Sequence, residues 1–449
     1  MTGTGADEPA TPFPLGPLQE PIWNFWRHNP QSPAYVMPEV YFFEGVFDLA
    51  AARFALHETA RRHEALRTTF HETADGVVQI VSPDPERIPI DVVDLRTLSG
   101  AEQAERLESA ISAAADAPFD LTARPAITLT VMLLSDDRTG LVLAAHQIVC
   151  DGISIAVVVD DFGKFYRSAR LGTTPDPEPA VPGYRAFVTE QLAGLADDAA
   201  GADLAYWSER LAGAIGSVLP GDSTSVSTAP FATMLVSMTL DTELAAAVSA
   251  FSRRAESTPF AVLFGAMNVM IAAATGGDDV CIGVTTSSRG PRFARTVGML
   301  ANTVVPRSRV DLSRTFTDTL ADVSLGLLDA IDYQDVPFSR VLEVWRKDAP
   351  SDAELVRTTF SAGTAGGLSL GEGNLSERVS RTSQGPFDLG VVCDITAAGI
   401  ALDWQYALRA YSPRLADRYC DAYLEILATL LRQPDNAMDS LGLTEILKR

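Results

Sequence analysis

Basic side chains are scarce in this sequence: 35 Lys and Arg stand against 58 Asp and Glu, a formal charge of −23. A surface of that sign repels a phosphate backbone, so a nucleic-acid partner is excluded unless a local basic patch overrides the background. Cysteine is sparse too. Cys150, Cys281, Cys393 and Cys420 are scattered, with no CxxC pair, and His28, His57, His63, His71 and His146 complete no HExxH or comparable cluster, so no metal site is predicted. No Walker loop is present and no GxGxxG follows a strand, which removes support for a nucleotide or dinucleotide site. Long apolar runs are also missing. The most membrane-like stretch, 259–275 (PFAVLFGAMNVMIAAAT), carries Asn268 near its middle and falls short of the roughly 20 residues that a spanning helix needs. It reads as a buried helix, with Thr258 as N-cap, Pro259 at the first helical position and Gly276-Gly277 as its stop. The opening MTGTGADEPATPFP has neither a basic n-region nor an apolar h-region. No secretory signal is therefore expected, and a reducing, cytoplasmic location with free thiols is.

What is there is ordinary globular composition, 449 residues with 47% hydrophobic and 21% charged, enough for two domains or one bilobed unit. Residues 1–13 read as a disordered lead. From Asp48 the apolar spacing becomes helical and runs to RRHEALRTTF at 61–70. AITLTVMLL at 126–134 and LVLAAHQIV at 141–149 flank the turn-rich SDDRTG and are predicted as adjacent antiparallel strands. Apolar residues at Ile153, Val157, Val158, Phe162 and Phe165 place a helix N-terminus just after Asp151-Gly152. Segments rich in Pro, Gly, Ser and Thr at 172–182 and 219–230 mark the lobe boundary. The expected division is an N-terminal lobe over 14–180, a connection over 181–230 and a C-terminal lobe over 231–449. In the second half, helices are predicted over 241–256, 258–274, 316–331 and 412–432, with strands over 279–285 and 302–310 and a strand pair near 388–406. Two similar mixed halves suggest an α+β fold of sandwich lobes. Two strings that imitate a carrier protein's attachment serine, GGLS at 366–369 and GDS at 221–223, read as loops.

The informative segment is AHQIVCDGIS at 145–154, placed where a strand ends and a helix begins, so that side chains and N–H groups can face a cleft. It resembles the HHxxxDG core motif of the condensation domains of nonribosomal peptide synthetases. PLGPLQEPIWNFW at 14–26, RRHEALRTTF at 61–70, PFDLTARPAITLTVMLL at 118–134, TPFAVLFGAMNVMIAAATGGDDVCIGVTTSSRGP at 258–291, VGMLANTVVPR at 297–307, YQDVPFSRVLE at 333–343 and GPFDL at 385–389 are similar to further segments of that family, in order. The resemblance implies two chloramphenicol-acetyltransferase-like lobes forming a V-shaped pseudo-dimer with a central tunnel. It also implies acyl transfer from a thioester on the phosphopantetheine arm of an acyl or peptidyl carrier protein to an acceptor, yielding an amide or ester. The acceptor would be an amine-bearing small molecule or a second carrier-bound group. No cofactor is expected to reside in this chain, the arm being the partner's. A free-standing or excised domain and a monomer are the expectations.

The departure is at Gln147, where the family carries its second histidine, the group that acts as or positions the base. An amide cannot take a proton at neutral pH, so the roughly 10² to 10⁴-fold contribution of acid–base catalysis is missing. The candidate catalytic set carried over from the motif is His146, Gln147 and Gly152. His146 is expected to turn toward the scaffold, Gln147 to orient the acceptor or the oxyanion, and Gly152 to let backbone approach the reacting carbonyl. Asp151 and Arg289 are the implied structural ion pair at the active site, with Arg289 in the second lobe. Cys150 is weighed as a replacement nucleophile and set aside as a buried thiol with no second histidine nearby in sequence. His63, Arg67, Tyr333, Gln334 and Asp335 read as architectural. Two functions stay open: an acyltransferase that relies on proximity and favours amide over ester, or a catalytically inactive relative that binds carrier proteins or recruits tailoring enzymes. Heterocyclisation and epimerisation fit poorly, because the first branch begins its motif with Asp and the second depends on the motif histidine. RGPRFAR at 289–295 is the densest basic stretch of the second half and a candidate for carrier docking.

Overall fold

The computed structural model describes residues 11–85, 88–174, 180–196, 198–222, 231–363, 367–371, 374–380 and 384–449. Two compact units emerge, and both are discontinuous: Met1–Ala196 with Arg289–Leu300 and Thr364–Thr382 form the first, and Asp197–Ser288, Ala301–Gly363 and Ser383–Arg449 form the second. The contiguous lobes expected over 14–180 and 231–449 are corrected accordingly. The segment 289–300 is hydrogen-bonded into the first unit, and the strand Asn374–Ser380 pairs with Val36–Glu44 there. Half of the expected 181–230 connection is helical, Tyr184–Leu195 belonging to the first unit and Asp198–Arg210 to the second. The expected lead over 1–13 lies outside the described residues up to 10, but Phe13 is buried and pairs with Gln79. Of the carrier-like strings, Gly366 and Ser223 lie outside the described residues, while the Asp222 carboxylate accepts from the Ser412 N–H at 2.9 Å.

In the first unit a five-stranded sheet runs in the order Asn374–Ser380, Val36–Glu44, Arg138–His146, Ile127–Leu133, Ile90–Asp94. Arg138–His146 lies centrally, antiparallel to both neighbours, with Val36 opposite His146 and Ile127 opposite Ala145. The pair read from sequence is therefore present, but the second strand starts at Arg138 and stops at His146 instead of continuing to Val149. It stops because the N–H of Val149 turns back to the His146 carbonyl at 3.0 Å and that of Cys150 to Gln147 at 3.2 Å. The helix Gly152–Leu171 follows, capped by Asp151, whose carboxylate accepts from the Ser154 N–H, and ended by Gly172 at φ 63°, a left-handed position that glycine takes without strain.

In the second unit a four-stranded sheet runs Thr358–Ala362, Leu389–Thr396, Gly399–Ala407, Thr233–Thr239. The helix Pro259–Thr275 is buried without interruption from Ala261 to Ala273. Thr258 caps it by accepting from the Ala261 N–H, and Gly276 at φ 71° ends it, as the sequence indicates. Among the described residues no single helix is long and apolar enough to cross a membrane. The expected strand over 279–285 is two, Asp279–Cys281 and Val284–Ser287, paired separately with Arg307–Arg309 and Ala301–Val304. Asp388 of the GPFDL segment is buried and held by Arg357 at 2.8 Å and Arg409 at 2.7 Å.

Candidate functional site

The loop between the strand ending at His146 and the helix starting at Gly152 is fixed through its backbone groups and through the side chain of Asp151. The Gln147 N–H donates to the Tyr35 carbonyl at 2.8 Å, and the Asp151 N–H to the Gly298 carbonyl at 3.1 Å. At the helix end the Asp151 carboxylate, 1% exposed, meets the Arg289 guanidinium in a two-pronged pair, with Nη1 to Oδ2 at 2.7 Å and Nη2 to Oδ1 at 2.8 Å. Backbone N–H groups of Ser154 at 2.8 Å and Leu300 at 2.9 Å donate to the same carboxylate. Four donors thus converge on one buried anion, which compensates its lost hydration.

Ser154 extends the lock. Its hydroxyl donates to the Gly298 carbonyl at 2.9 Å and accepts from Arg289 Nη2 at 2.6 Å and from the Gly298 N–H at 3.0 Å. Gly298 has no room for a side chain, because a Cβ there would lie 2.0 Å from the Tyr184 ring. Tyr184 is held in turn by its hydroxyl, which donates to the Met299 carbonyl at 3.0 Å. The predicted pairing of Asp151 with Arg289 is thus observed, while the expected placement of Arg289 in the second lobe is corrected: the pair lies within the first unit.

His146 is enclosed, 2% exposed, with its ring near Tyr35 and Phe119. Its Nδ1 accepts the Ile148 N–H at 3.2 Å, so the neutral ring carries its proton on Nε2. Burial lowers its pKa to about 3. The ring thus faces the scaffold, where it holds the Ile148 N–H. Cys150 is fully buried; burial, reinforced by the Asp151 carboxylate, pushes its thiol pKa well up, which keeps it from acting as a nucleophile.

Gln147 differs from its neighbours. It is half-buried, and among the described residues its side-chain amide forms no hydrogen bond to the protein. It offers one acceptor and two donors where a histidine would offer a base. Gly152, exposed, is the first residue of the helix and presents its backbone at the positive end of the helix dipole.

The arginines of RGPRFAR are each paired. Arg289 is engaged by Asp151, Arg292 by Glu190, and Arg295 by Asp160 and Asp161, so the stretch is matched by carboxylates of its own unit. Four of the five residues read as architectural make contacts in the structure. The His63 ring lies 2.7 Å from the buried Asp161 carboxylate, and Arg67 Nε donates to the Ala60 carbonyl at 2.8 Å. In the second unit Tyr333 stacks on Tyr206 at 3.8 Å, and the Gln334 carbonyl accepts from Asn302 at 2.7 Å. Residues the sequence reasoning passed over are Gln19, Ser154, Tyr184, Gly298 and Leu300. Gln19, Ser154, Gly298 and Leu300 lie inside quoted motifs, which is the one signal that could have found them.

A sequence model described as Condensation domain matches residues 10–447. The chain is 32% identical over 350 residues to chondramide synthase cmdD of Chondromyces crocatus, covering 76% of this chain and 9% of that protein. It is 27% identical to tyrocidine synthase 2 of Brevibacillus parabrevis, covering 97% of this chain and 12% of that protein. The chain thus spans about a tenth of the length of these relatives. Among solved structures, the condensation domain from the monacolin K polyketide synthase MokA superposes with a TM-score of 0.82 at 22% identity, covering 96% of this chain and 100% of that one.

Proposed function

Because the chain belongs to the condensation domain family, we propose that it catalyses condensation-type acyl transfer, with Gln147 orienting the reactants in place of a base. The donor is an acyl thioester on the phosphopantetheine arm of a carrier protein, and the acceptor is an amine. The observation that carries this reading is the contrast inside one loop: backbone bonds and the Asp151–Arg289 lock hold it, while the Gln147 amide is left without a protein partner among the described residues. The neutral amine nitrogen attacks the thioester carbonyl, the new C–N bond forms, the C–S bond breaks, and the amine's surplus proton leaves with the thiol. Gln147 Oε1 accepts from the amine N–H or its Nε2 donates to the oxyanion, and neither role requires it to titrate. Proximity contributes about 7–11 kcal/mol in favourable cases, against about 3–5 kcal/mol for a lost base. An amine tolerates that loss better than a hydroxyl, so amide formation is favoured over ester.

A second reading, a carrier-binding or tailoring-enzyme-recruiting module without catalysis, is favoured by one observation: His146 and Cys150, the loop's histidine and cysteine, are both buried and shifted away from useful titration. Single-turnover transfer from a loaded carrier to amines separates the two. Native chain is expected to form amide above the buffer rate, and Gln147→His to raise the rate about 10²-fold. Native chain that binds the carrier yet yields only the buffer rate refutes catalysis.

A further inference from the structure

Gln19 is buried at 1% exposure at the entrance to the helix Glu20–His28, far in sequence from the loop it reaches. Its Oε1 accepts the Gly16 N–H at 2.9 Å. Its Nε2 donates both hydrogens, one to Gln79 Oε1 at 3.0 Å and the other to the Ile148 carbonyl at 2.8 Å. Gln79 Nε2 donates onward to the Pro14 carbonyl at 3.0 Å. The orientation of this amide is not free to flip: the Gly16 N–H requires an oxygen, and the Ile148 carbonyl requires a donor.

The Ile148 carbonyl belongs to the residue that follows Gln147, one peptide unit beyond the Gln147–Ile148 bond. The N–H groups of Ile148, Val149 and Cys150 turn back onto His146 and Gln147, so these three bonds close the turn on itself. Gln19 instead ties it to a distant segment, at the opposite end of the loop from the Arg289 lock. We propose that Gln19 is a positioning residue: by holding the Ile148 carbonyl it sets the backbone from which the Gln147 side chain projects, without touching substrate. This rests on the acyl-transfer reading for its consequence in rate, since small misplacements of an orienting group lower transfer steeply.

The test compares full-length chain with Gln19→Met and Gln79→Met, by amide hydrogen exchange over 145–152 and by single-turnover transfer. Gln19→Met is expected to speed exchange in the loop about tenfold and to lower the transfer rate constant about tenfold, with half-saturating carrier concentration within about twofold of native. Gln79→Met, which removes a neighbouring link but leaves the bond to Ile148, is expected to lower thermal stability similarly while loop exchange stays within about twofold. Unchanged loop exchange in Gln19→Met, or equal loosening in both variants, overturns the proposal. If Gln19→Met does not fold, Gln19→Glu, which keeps an acceptor for Gly16 and sets an oxygen against the Ile148 carbonyl, is read in its place. A native chain that transfers nothing overturns the acyl-transfer reading, and exchange alone then decides whether Gln19 holds the loop.

Discussion

Replacing Arg289 with Met tests the ion pair at the base of the loop. The side chains of Asp151 and Arg289 are 1% and 5% exposed, and the guanidinium supplies two of the four donors that reach the carboxylate. Met matches the stem but leaves Asp151 as a buried anion with only the Ser154 and Leu300 N–H groups to stabilise it. Breaking a buried pair from one side costs about 3–5 kcal/mol. With a urea slope of about 2 kcal/mol per molar, that lowers the unfolding midpoint by about 2 M. Asp151→Asn, which keeps an oxygen for the Ser154 cap but strands the guanidinium, is expected to cost a comparable amount. The double variant Asp151→Asn/Arg289→Met removes both charges, and its loss is expected to be at least about 2 kcal/mol smaller than the sum of the single losses, because neither partner is then left buried alone. Urea unfolding followed by circular dichroism reads all four proteins. A shift below about 0.5 M for either single variant, or strict additivity in the double, refutes the claim that the pair is held as a buried unit.

Acid should destabilise the fold through His146. Its folded pKa is depressed to about 3 by burial, against about 6.5 in an unfolded chain. The unfolded state therefore binds the proton first, and the contribution is fully present above pH 6.5 and lost as pH falls toward 3. At pH 5 the loss is about 1.5 units, or roughly 2 kcal/mol. His63 and Asp161, both shifted down, act in the same direction: burial lowers His63, and for Asp161 the His63 hydrogen bond and the charges of His63, Arg295 and Arg62 outweigh an opposing desolvation. His146→Asn, whose Oδ1 can still accept the Ile148 N–H, should lose this part of the pH slope in urea midpoints measured from pH 7 to 5, and an unchanged slope refutes the assignment. Gly298→Ala should cost about 1–3 kcal/mol in thermal unfolding, since its Cβ would stand 2.0 Å from a Tyr184 ring that is held by its own hydroxyl. Gly290→Ala in the same segment, with nothing within 4 Å of a Cβ and φ −70°, should stay within about 0.5 kcal/mol and serves as the control. Equal losses in the two refute the packing argument.

Local chemistry was legible in the sequence, and long-range pairing was not. Asp151 before a helical repeat, Thr258 before Pro259 and the run into His146 each carry their instructions within a few residues, and the structure places the caps and the strand end there. The strand Val36–Glu44 was missed. It contains Pro38 and shows no alternation, being buried at most positions between two neighbours. Asn374–Ser380 joins the first unit by pairing with a strand more than 300 residues earlier, a choice no local period encodes. The helix Tyr184–Leu195 was hidden by the Pro- and Gly-rich residues before it. Gln19 had no compositional mark either, because a buried amide with both donors used and a surface glutamine read alike until distances are known.

Position 147 can change chemically without changing the loop, and the pattern of bonds explains why. The Gln147 N–H meets Tyr35 and its carbonyl meets Cys150, both through backbone that any residue but proline supplies. Conformation is imposed from outside, by Asp151 through Arg289 and Leu300, and by Gln19 through Ile148. A histidine-to-glutamine exchange here leaves no donor or acceptor of the scaffold unmatched, whereas a change at Asp151 strands a charge and a change at His146 to an apolar residue removes the acceptor for the Ile148 N–H. The scaffold therefore exerts little preference for the side chain at 147. That separation is the physical reason for expecting Gln147→His to alter transfer while leaving the urea midpoint nearly unchanged, in contrast to the large shift expected at Arg289.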